Sequence, residues 1–265
     1  MGKGLAQQLS VTQSDVAIVG GGAGGVAVVL HLIEQAKKGR SLREIVMIET
    51  RDVLSPGLAF STDCQGTILN MHSDTMGIFH GNPRDYTQWR ESLKEGPFPS
   101  RVDYGKHLQE RWIKAIEEAR VHDITITTVQ ASATDIDKAG DTAYKITINN
   151  QTTLTTAHYV VLALGNFTGS ANSHLLGKAG YFPNPWPTTQ LKSISPTAHV
   201  LIAGSRLAAV DAALYLSENG HQGAITFLSR SGKLPRVQGD PVPNPRRMPC
   251  TNLRDRSRAI PTRVI

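Results

Sequence analysis

The sequence predicts an α/β protein built around a parallel β-sheet, and three observations lead to this prediction. The apolar run Val16–Val19 has the length of a buried parallel strand, and it passes through a glycine-rich turn into an apolar helix over residues 26–33. A second apolar run, Ile45–Ile48, follows at the distance expected for the next strand. The same succession of strand, turn, helix and strand begins again at His199. We therefore expect two copies of one strand–helix–strand unit.

The first turn carries glycines in the spacing Gly20-x-Gly22-x-x-Gly25, with Ala23 and Gly24 between the last two. In that spacing the first glycine makes the tight turn, the second lets the backbone approach a pyrophosphate, and the third lets the helix pack closely on the strand. The helix N-terminus then presents free N–H groups and a positive dipole end to the phosphates. These residues predict a dinucleotide-binding turn of the Rossmann type.

The strand after the helix ends in an acid, which the same motif requires. Glu49 stands 24 positions after Gly25, slightly more than the usual spacing of about 20, and the loop over residues 37–43 accommodates the difference. A carboxylate here suits an unphosphorylated adenosine ribose, which favours FAD or NAD over NADP at the first site. The alternative is a glycine-rich turn in some other α/β protein, and the order of strand, glycines, helix, strand and acid argues against it.

Between the two units the hydrophobic pattern first predicts helices. Residues 83–93 are expected to form a short helix, and Tyr104–Arg120 a longer one that is capped by Asp103. Period-two alternation then predicts three or four antiparallel strands, which would form a small β-meander inserted between parallel strands. Their expected ranges are Ile124–Val129, Ala131–Ile136, Tyr144–Ile148 and Thr152–Thr155.

A buried strand, Tyr159–Leu164, is expected to return to the parallel sheet and to end at Gly165. The second unit then opens with the strand Val200–Ala203. Its turn reads Gly204-Ser205-Arg206, so an arginine stands where the first unit has its second glycine. That side chain would either crowd the phosphates or bind them through its guanidinium group.

The strand that follows this second turn ends in Ser229 and Arg230 instead of an acid. An arginine at that position suits a 2′-phosphate, so the second unit is expected to prefer NADPH to NADH. The alternative is a structural remnant that holds no nucleotide.

Composition and charge narrow the possible classes of protein. The 265 residues are 40% hydrophobic and 19% charged, as in ordinary globular proteins. The net charge is +6, of which residues 236–265 carry +5, so the remainder is near neutral and argues against a nucleic-acid-binding face. Cys64 and Cys250 have no disulfide or zinc spacing and are expected to be free thiols in the cytoplasm. Five glycines within the uncharged stretch Val16–Ile33 argue against a membrane span.

We expect the chain to divide into five segments. They are a polar leader (1–14), a first nucleotide-binding domain (15–167), a linker (168–198), a partial second unit (199–235) and a basic tail rich in proline and arginine (236–265). The second unit has fewer strands than a complete dinucleotide-binding fold, so the sequence is interpreted as the front part of a longer protein.

Several short signatures occur together in residues 14–236. They are Gly20–Gly25, Gly57-Leu-Ala-Phe-Ser61, Leu69-Asn-Met71 with Met76, Asp85-Tyr-Thr-Gln-Trp89, Arg101 with Tyr104-Gly105, Leu162-Ala-Leu-Gly-Asn166 and Leu228-Ser-Arg-Ser-Gly232. With these signatures the chain resembles the flavoproteins that have two dinucleotide-binding domains, in particular the FAD/NAD(P)-binding family that includes urate-hydroxylase-like and aspartate N-monooxygenase-like enzymes.

The resemblance implies a Rossmann-like FAD-binding domain with an inserted meander, followed by a partial NAD(P)-binding unit. It implies that the ADP half of FAD is held by Gly20, Gly22, Ala23, Gly24, Gly25 and Glu49. Other parts of FAD would meet the backbone near Ala133, the turn at Gly165, and a loop near the isoalloxazine with Asn70, Met71 and Met76. NAD(P)H would meet Gly204, Ser205, Ser229 and Arg230.

The implied activity is that of an FAD-dependent, NAD(P)H-using oxidoreductase, a monooxygenase that hydroxylates a small polar substrate. The flavin carries such chemistry, so the sequence singles out no catalytic residue. One alternative is a truncated, non-catalytic nucleotide-binding module, and another is an enzyme that uses NAD at the first site without a flavin. The expected partner is a small molecule, without nucleic acid or membrane, and the oligomeric state is left open.

Overall fold

The computed structural model describes residues 12–52, 54–91, 96, 98–150, 152–166 and 172–236. Of the predicted leader and basic tail, residues 1–11 and 237–265 lie outside the described residues. Residues 12–14 form the start of the first strand.

Six strands form the main sheet of the molecule. They are β1 (Thr12–Val19), β2 (Glu44–Glu49), β3 (Thr125–Gln130), β4 (Ala133–Ala139), β5 (Ala143–Ile148) and β6 (Thr152–Leu162). Their order is β3-β2-β1-β6-β5-β4. The pairs β3–β2, β2–β1 and β1–β6 are parallel, whereas β4, β5 and β6 pair antiparallel. The expected α/β fold with a mostly parallel central sheet is confirmed.

Apolar residues on both faces of β1 and β2 explain why these strands lie at the centre. The helices α1 (Ala23–Lys37) and α3 (Arg101–Val121) cover one face, where Ile18 and Ile45 pack against Val29 of α1. The other face packs beneath the meander, and its buried residues are Ala17, Val19, Val46, Ile48, Val129, Ala131, Ile146, Ile148 and Ala157. The short helix α2 spans Asp85–Arg90.

The sequence prediction was wrong for the pairing of β3. The expected strand Ile124–Val129 does not belong to the meander but pairs in parallel with β2, from Glu44 opposite Thr125 to Glu49 opposite Gln130. Its alternating pattern arises because β3 is an edge strand that buries only part of its side chains. Alternation reports which faces are buried and gives no information on the direction of the neighbouring strand.

The strands expected over Thr152–Thr155 and Tyr159–Leu164 are one continuous strand, β6. Its first part, from Thr152 to Ala157, pairs with β5, and the part from Thr155 to Leu162 pairs with β1. The meander thus shares a strand with the parallel sheet and brings the end of β6 to the glycine turn.

The longer helix also begins earlier than expected. Ser100, not Asp103, is its N-cap: the Ser100 hydroxyl oxygen accepts from the N–H of Asp103 at 3.1 Å. The same hydroxyl donates to the Asp103 carboxylate at 2.9 Å. The two side chains form a variant of a capping box that fixes Arg101 as the first residue of the helix.

A second, two-stranded parallel sheet consists of β7 (Val200–Ala203) and β8 (Ile225–Leu228), with α4 (Leu207–Glu218) packed on one face. Residues of α4 also contact the loop after β2 and the start of α3. The thiol of Cys64 donates to the carboxylate of Glu218 at 3.1 Å, and the Arg101 guanidinium lies 3.4 Å from the Asp211 carboxylate. Among the described residues no helix combines the length and apolar character needed to cross a membrane.

Candidate dinucleotide-binding site

Backbone atoms pack tightly around the turn between β1 and α1. Gly20 has a φ of +107°, and its N–H donates to the carbonyl of Ile48 at 2.8 Å. A Cβ on Gly20 would collide with the carbonyl oxygen of Ala163, just after β6, and a Cβ on Gly25 would collide with the carbonyl oxygen of Gly20. Positive φ and the absence of space therefore require glycine at position 20, and space alone requires it at position 25.

The rim of this turn is open and lined by small residues. Gly22 is the N-cap of α1, and its extended backbone (φ −79°, ψ −169°) is one that any residue adopts. A Cβ on Gly22 would lie 3.3 Å from the Cα of Gly57, so the limit at this position is room and not backbone conformation. No side chain caps the helix and no acid occupies its first turn, which includes Ala23 and the exposed Gly24. Such a helix end leaves N–H groups for an anion.

The carboxylate of Glu49 lies directly beside this turn. Its Oε2 accepts from the N–H of Gly21 at 2.9 Å. The guanidinium of Arg51 binds the carboxylate in a bidentate manner, with Nη2 at 2.7 Å from Oε2 and Nε at 3.1 Å from Oε1. Oε1 also accepts from the Thr50 hydroxyl at 3.1 Å and from the Arg51 N–H at 3.2 Å.

These contacts keep Glu49 ionised. Burial raises the pKa of this carboxyl and is the largest single influence. The hydrogen bonds from the Arg51 side chain, from the Gly21 N–H and from the Arg51 N–H, together with the Arg51 charge, outweigh it and lower the pKa to about 2. At neutral pH the turn therefore carries a full carboxylate that accepts and does not donate hydrogen bonds.

The crossing from β3 to β4 passes the same carboxylate residue. The N–H of Ala131 donates to the backbone carbonyl of Glu49 at 3.0 Å, which brings Ala133 of β4 near the end of β2. On the other side, the N–H of Ala163 donates to the carbonyl of Val19, and Gly165 follows two residues later with a φ of +69°. The structure thus brings the segments before Ala133 and Gly165 to the first turn.

The loop with Asn70, Met71 and Met76 is anchored from α3. The Arg101 guanidinium donates to the Asn70 side-chain oxygen at 3.1 Å, and the Tyr104 hydroxyl donates to the carbonyl of Met76 at 3.1 Å. Met71 is half exposed. Burial and the charge of Asp85 raise the pKa of Tyr104 to about 12, so that its hydroxyl stays protonated and able to donate.

A buried polar group stabilises this loop from below. The carboxylate of Asp85 accepts from the N–H of Ile78 at 2.8 Å, and its other oxygen lies 3.2 Å from His107 Nε2 and 3.4 Å from Arg111 Nε. The side chains of Asp85 and His107 are almost completely buried, so we assign them a structural role. The described residues contain no group of three or more His, Cys, Asp or Glu arranged to hold a metal ion.

The second turn repeats the backbone of the first with different side chains. Gly204 has a φ of +131°, and Arg206 is the N-cap of α4 with an exposed side chain. The Ser205 hydroxyl donates to the carbonyl of Lys233 at 2.8 Å and is buried, so it ties the turn to the loop after β8. In that loop the Ser229 hydroxyl accepts from the N–H of Gly232 at 3.1 Å, and Arg230 is exposed.

Three residues of these sites received no role from the sequence, although Gly57 and Arg101 stand in the signatures quoted above. Arg51 donates to the carboxylate of Glu49, and Gly57 packs against Gly22. Arg101 contacts both Asn70 and Asp211 of α4. The sequence does show an arginine two positions after Glu49 and a glycine in Pro56-Gly57. Neither pattern predicts which residue the arginine or the glycine will contact.

The first turn fits the ADP part of a dinucleotide. Small residues leave room at an uncapped helix end, and an ionised carboxylate lies at the end of the neighbouring strand, where a ribose is expected. The described residues thus include both groups that the motif requires, an open helix N-terminus and an acid at the end of the next strand.

Comparisons with known proteins identify the family of this chain. The model of a family described as FAD-NAD(P)-binding matches residues 17–167. No curated protein matches the sequence. Among solved structures, bacillithiol disulfide reductase Bdr from Staphylococcus aureus superimposes with a TM-score of 0.51 and 18% identity, covering 82% of this chain and 58% of its own.

Two further solved structures have a similar fold. A closed crystal structure of cyclohexanone monooxygenase has a TM-score of 0.55, 17% identity and coverage of 83% of this chain and 39% of its own. OTEMO in complex with FAD and NADP has a TM-score of 0.53, 16% identity and coverage of 83% and 40%. The chain therefore spans about two fifths to three fifths of the length of these structures, and the likeness shows their fold. By its sequence match over residues 17–167, the chain belongs to the FAD-NAD(P)-binding family.

Proposed function

We propose that this chain binds FAD at the first glycine turn and NAD(P)H at the second, as part of an oxidoreductase. The observation that carries the proposal is the ionised Glu49 held 2.9 Å from the Gly21 N–H at the open end of α1. The second turn repeats this backbone with Arg206 and Arg230 in place of small and acidic residues. The family match and the folds of the three solved structures support the same assignment.

The residues of the chain have distinct roles in this proposal. The N–H groups at Gly22, Ala23 and Gly24 bind the pyrophosphate, and Glu49 accepts hydrogen bonds from the adenosine ribose. The backbone near Ala133 contacts the adenine. Bound FAD supplies the transfer of a hydride and of electrons, whereas the chain supplies binding and orientation.

The loop of Asn70, Met71 and Met76 faces the isoalloxazine, near Gly165. Its anchoring by Arg101 and Tyr104 holds it in one position. At the second turn, Gly204 and the backbone of Ser205 approach the NAD(P)H phosphates, and Ser229 and Arg230 select the 2′-phosphate of NADPH. Monooxygenation of a small polar substrate is the activity that we propose for the complete enzyme, in the cytoplasm.

A visible absorption spectrum of the purified chain tests the first step. After addition of FAD and desalting, we expect a retained flavin spectrum, and NADPH added without oxygen should bleach it. A Gly22→Arg variant should lose the flavin, whereas Gly81→Arg adds the same side chain in open space and should retain it. A colourless wild-type protein that binds NAD instead would favour the flavin-free enzyme.

A second candidate function is a nucleotide-binding module without catalysis. It is favoured by the second turn, where Arg206 replaces a glycine and the Ser205 hydroxyl is committed to Lys233. Retained FAD without any NADPH-dependent bleaching would support the module, and steady turnover would exclude it.

A further inference from the structure

The carboxylate of Glu49 has no free hydrogen-bonding position in this structure. A carboxylate offers about four lone-pair sites. Five donors already point at it: the Gly21 N–H, the Thr50 hydroxyl, and the N–H, Nε and Nη2 groups of Arg51. A ribose therefore cannot bind to Glu49 until one of these donors leaves.

The guanidinium of Arg51 is the donor best placed to leave. It contributes one bond to each carboxylate oxygen, at 3.1 and 2.7 Å, and a ribose diol that donates both of its hydroxyls needs the same two positions. The side chain of Arg51 is 28% exposed, whereas that of Glu49 is 10% exposed. The other donors are backbone N–H groups or the hydroxyl of the adjacent residue, which the strand and turn hold in place.

The released guanidinium has a partner within reach. Its Nη2 lies 3.9 Å from the point where a Cβ of Gly22 would be, which is the rim where a pyrophosphate approaches the turn. Guanidinium binds phosphate oxygens through the same planar fork that it uses for carboxylates.

We propose that Arg51 exchanges partners when a dinucleotide binds: it occupies the ribose position on Glu49 in the free protein and moves to the pyrophosphate in the complex. This inference rests on the proposed function of the first turn. It adds Arg51 as a residue that couples the binding of the ribose to the binding of the pyrophosphate. A ligand with a ribose but no phosphate breaks the Arg51–Glu49 pair and leaves Arg51 without a new partner. ADP provides a new partner for each residue, the ribose for Glu49 and the pyrophosphate for Arg51.

Calorimetric titration with adenosine and with ADP tests the exchange. In Arg51→Gln, ADP should bind about tenfold more weakly, which corresponds to the loss of one charge-assisted contact. Adenosine should bind as well as or better than it does to the wild type, because its position on Glu49 is now free. Arg51→Lys keeps the charge without the fork and should retain part of the ADP affinity. Arg40→Gln, beyond the far end of α1, is the matched control and should change neither affinity.

A purely structural Arg51 would give a different pattern. If it only orients Glu49, the variant would weaken adenosine and ADP by the same factor, and that result, or unchanged binding of both, overturns the exchange. The wild-type protein provides a second measurement that needs no variant: the Nε–H nuclear magnetic resonance signal of Arg51 should shift on saturation with ADP. An unshifted signal at saturation also overturns the exchange. A wild-type chain that binds neither ADP nor FAD refutes the proposed function itself, and the exchange with it.

Discussion

The two glycine turns share one backbone. The N–H of Gly20 donates to the carbonyl of the residue that precedes Glu49, and the N–H of Gly204 donates to Leu228 at the same distance of 2.8 Å. The N-cap residues that follow, Gly22 and Arg206, are both extended, with φ values of −79° and −92°. An arginine thus adopts the conformation that a glycine adopts in the other turn.

The surroundings of the two turns differ. A Cβ on Gly20 would collide with the carbonyl oxygen of Ala163, whereas nothing lies within 4 Å of a Cβ on Gly204. The first turn follows β1, a central strand of the six-stranded sheet, and packs against Gly57. The second turn follows β7, one of only two strands in its sheet. The comparison teaches that the positive φ of the turn favours glycine at the first position of both turns, whereas packing adds to that requirement only at Gly20.

The largest difference is expected from the matched variants Gly20→Ala and Gly204→Ala. Both introduce a side chain at positive φ, which costs about 1–3 kcal/mol. Only Gly20→Ala adds a collision with backbone, so its loss of unfolding free energy should be about 3 kcal/mol or more. Urea denaturation measures both values. Equal losses would show that the strain of the turn, and not its packing, sets the requirement.

The next variant tests room for the ligand. Gly22→Arg gives the first turn the residue of the second, and its Cβ would lie 3.3 Å from the Cα of Gly57. We expect ADP affinity to fall about a hundredfold, or about 2.7 kcal/mol, because the side chain fills the rim. Calorimetry with ADP measures this, with Gly81→Arg as the control for added charge. Retained affinity would mean that an arginine at the N-cap is compatible with a bound pyrophosphate in both turns.

The features of the fold that the sequence predicts correctly are local. Gly20, Gly25 and Glu49 belong to one strand–helix–strand unit, in which the backbone itself fixes their positions. The path of the loop after β2 decides whether Arg51 turns back to Glu49 and whether Gly57 meets Gly22, and no periodicity encodes that path. The direction of β3 is a long-range property for the same reason.

The sequence likewise does not predict contacts between distant parts of the chain. Arg101 touches Asn70, lies 3.4 Å from Asp211 and packs over the ring of Trp186. These four residues come from four separate segments, and each has an ordinary alternative as a solvated or core side chain. Only the assembled fold selects the pairing.

The pH dependence of stability offers a third way to separate the turns. The pKa of Glu49 is lowered from 4.5 to about 2, so its contribution to stability is complete above about pH 4.5 and is lost as pH falls toward 2. The contribution is at most about 3 kcal/mol, and less where water screens the carboxylate. Glu49→Gln should therefore show a shallower fall of unfolding free energy below pH 4.5 than the wild type. If the unfolding free energies of the wild type and Glu49→Gln fell in parallel below pH 4.5, Glu49 would not contribute to the pH dependence of stability. The control is Glu117→Gln, at an exposed position.

The smallest effect is expected at the second turn, where Arg230 is exposed. An exposed ion pair contributes up to about 1 kcal/mol, so Arg230→Gln should weaken NADPH binding about fivefold and leave NADH binding unchanged. Fluorescence titration with both nucleotides measures the ratio, with Arg40→Gln as control. Equal weakening of both would place the guanidinium on a phosphate that they share. If the wild type binds neither nucleotide, the second turn has the backbone of the first without its proposed nucleotide binding.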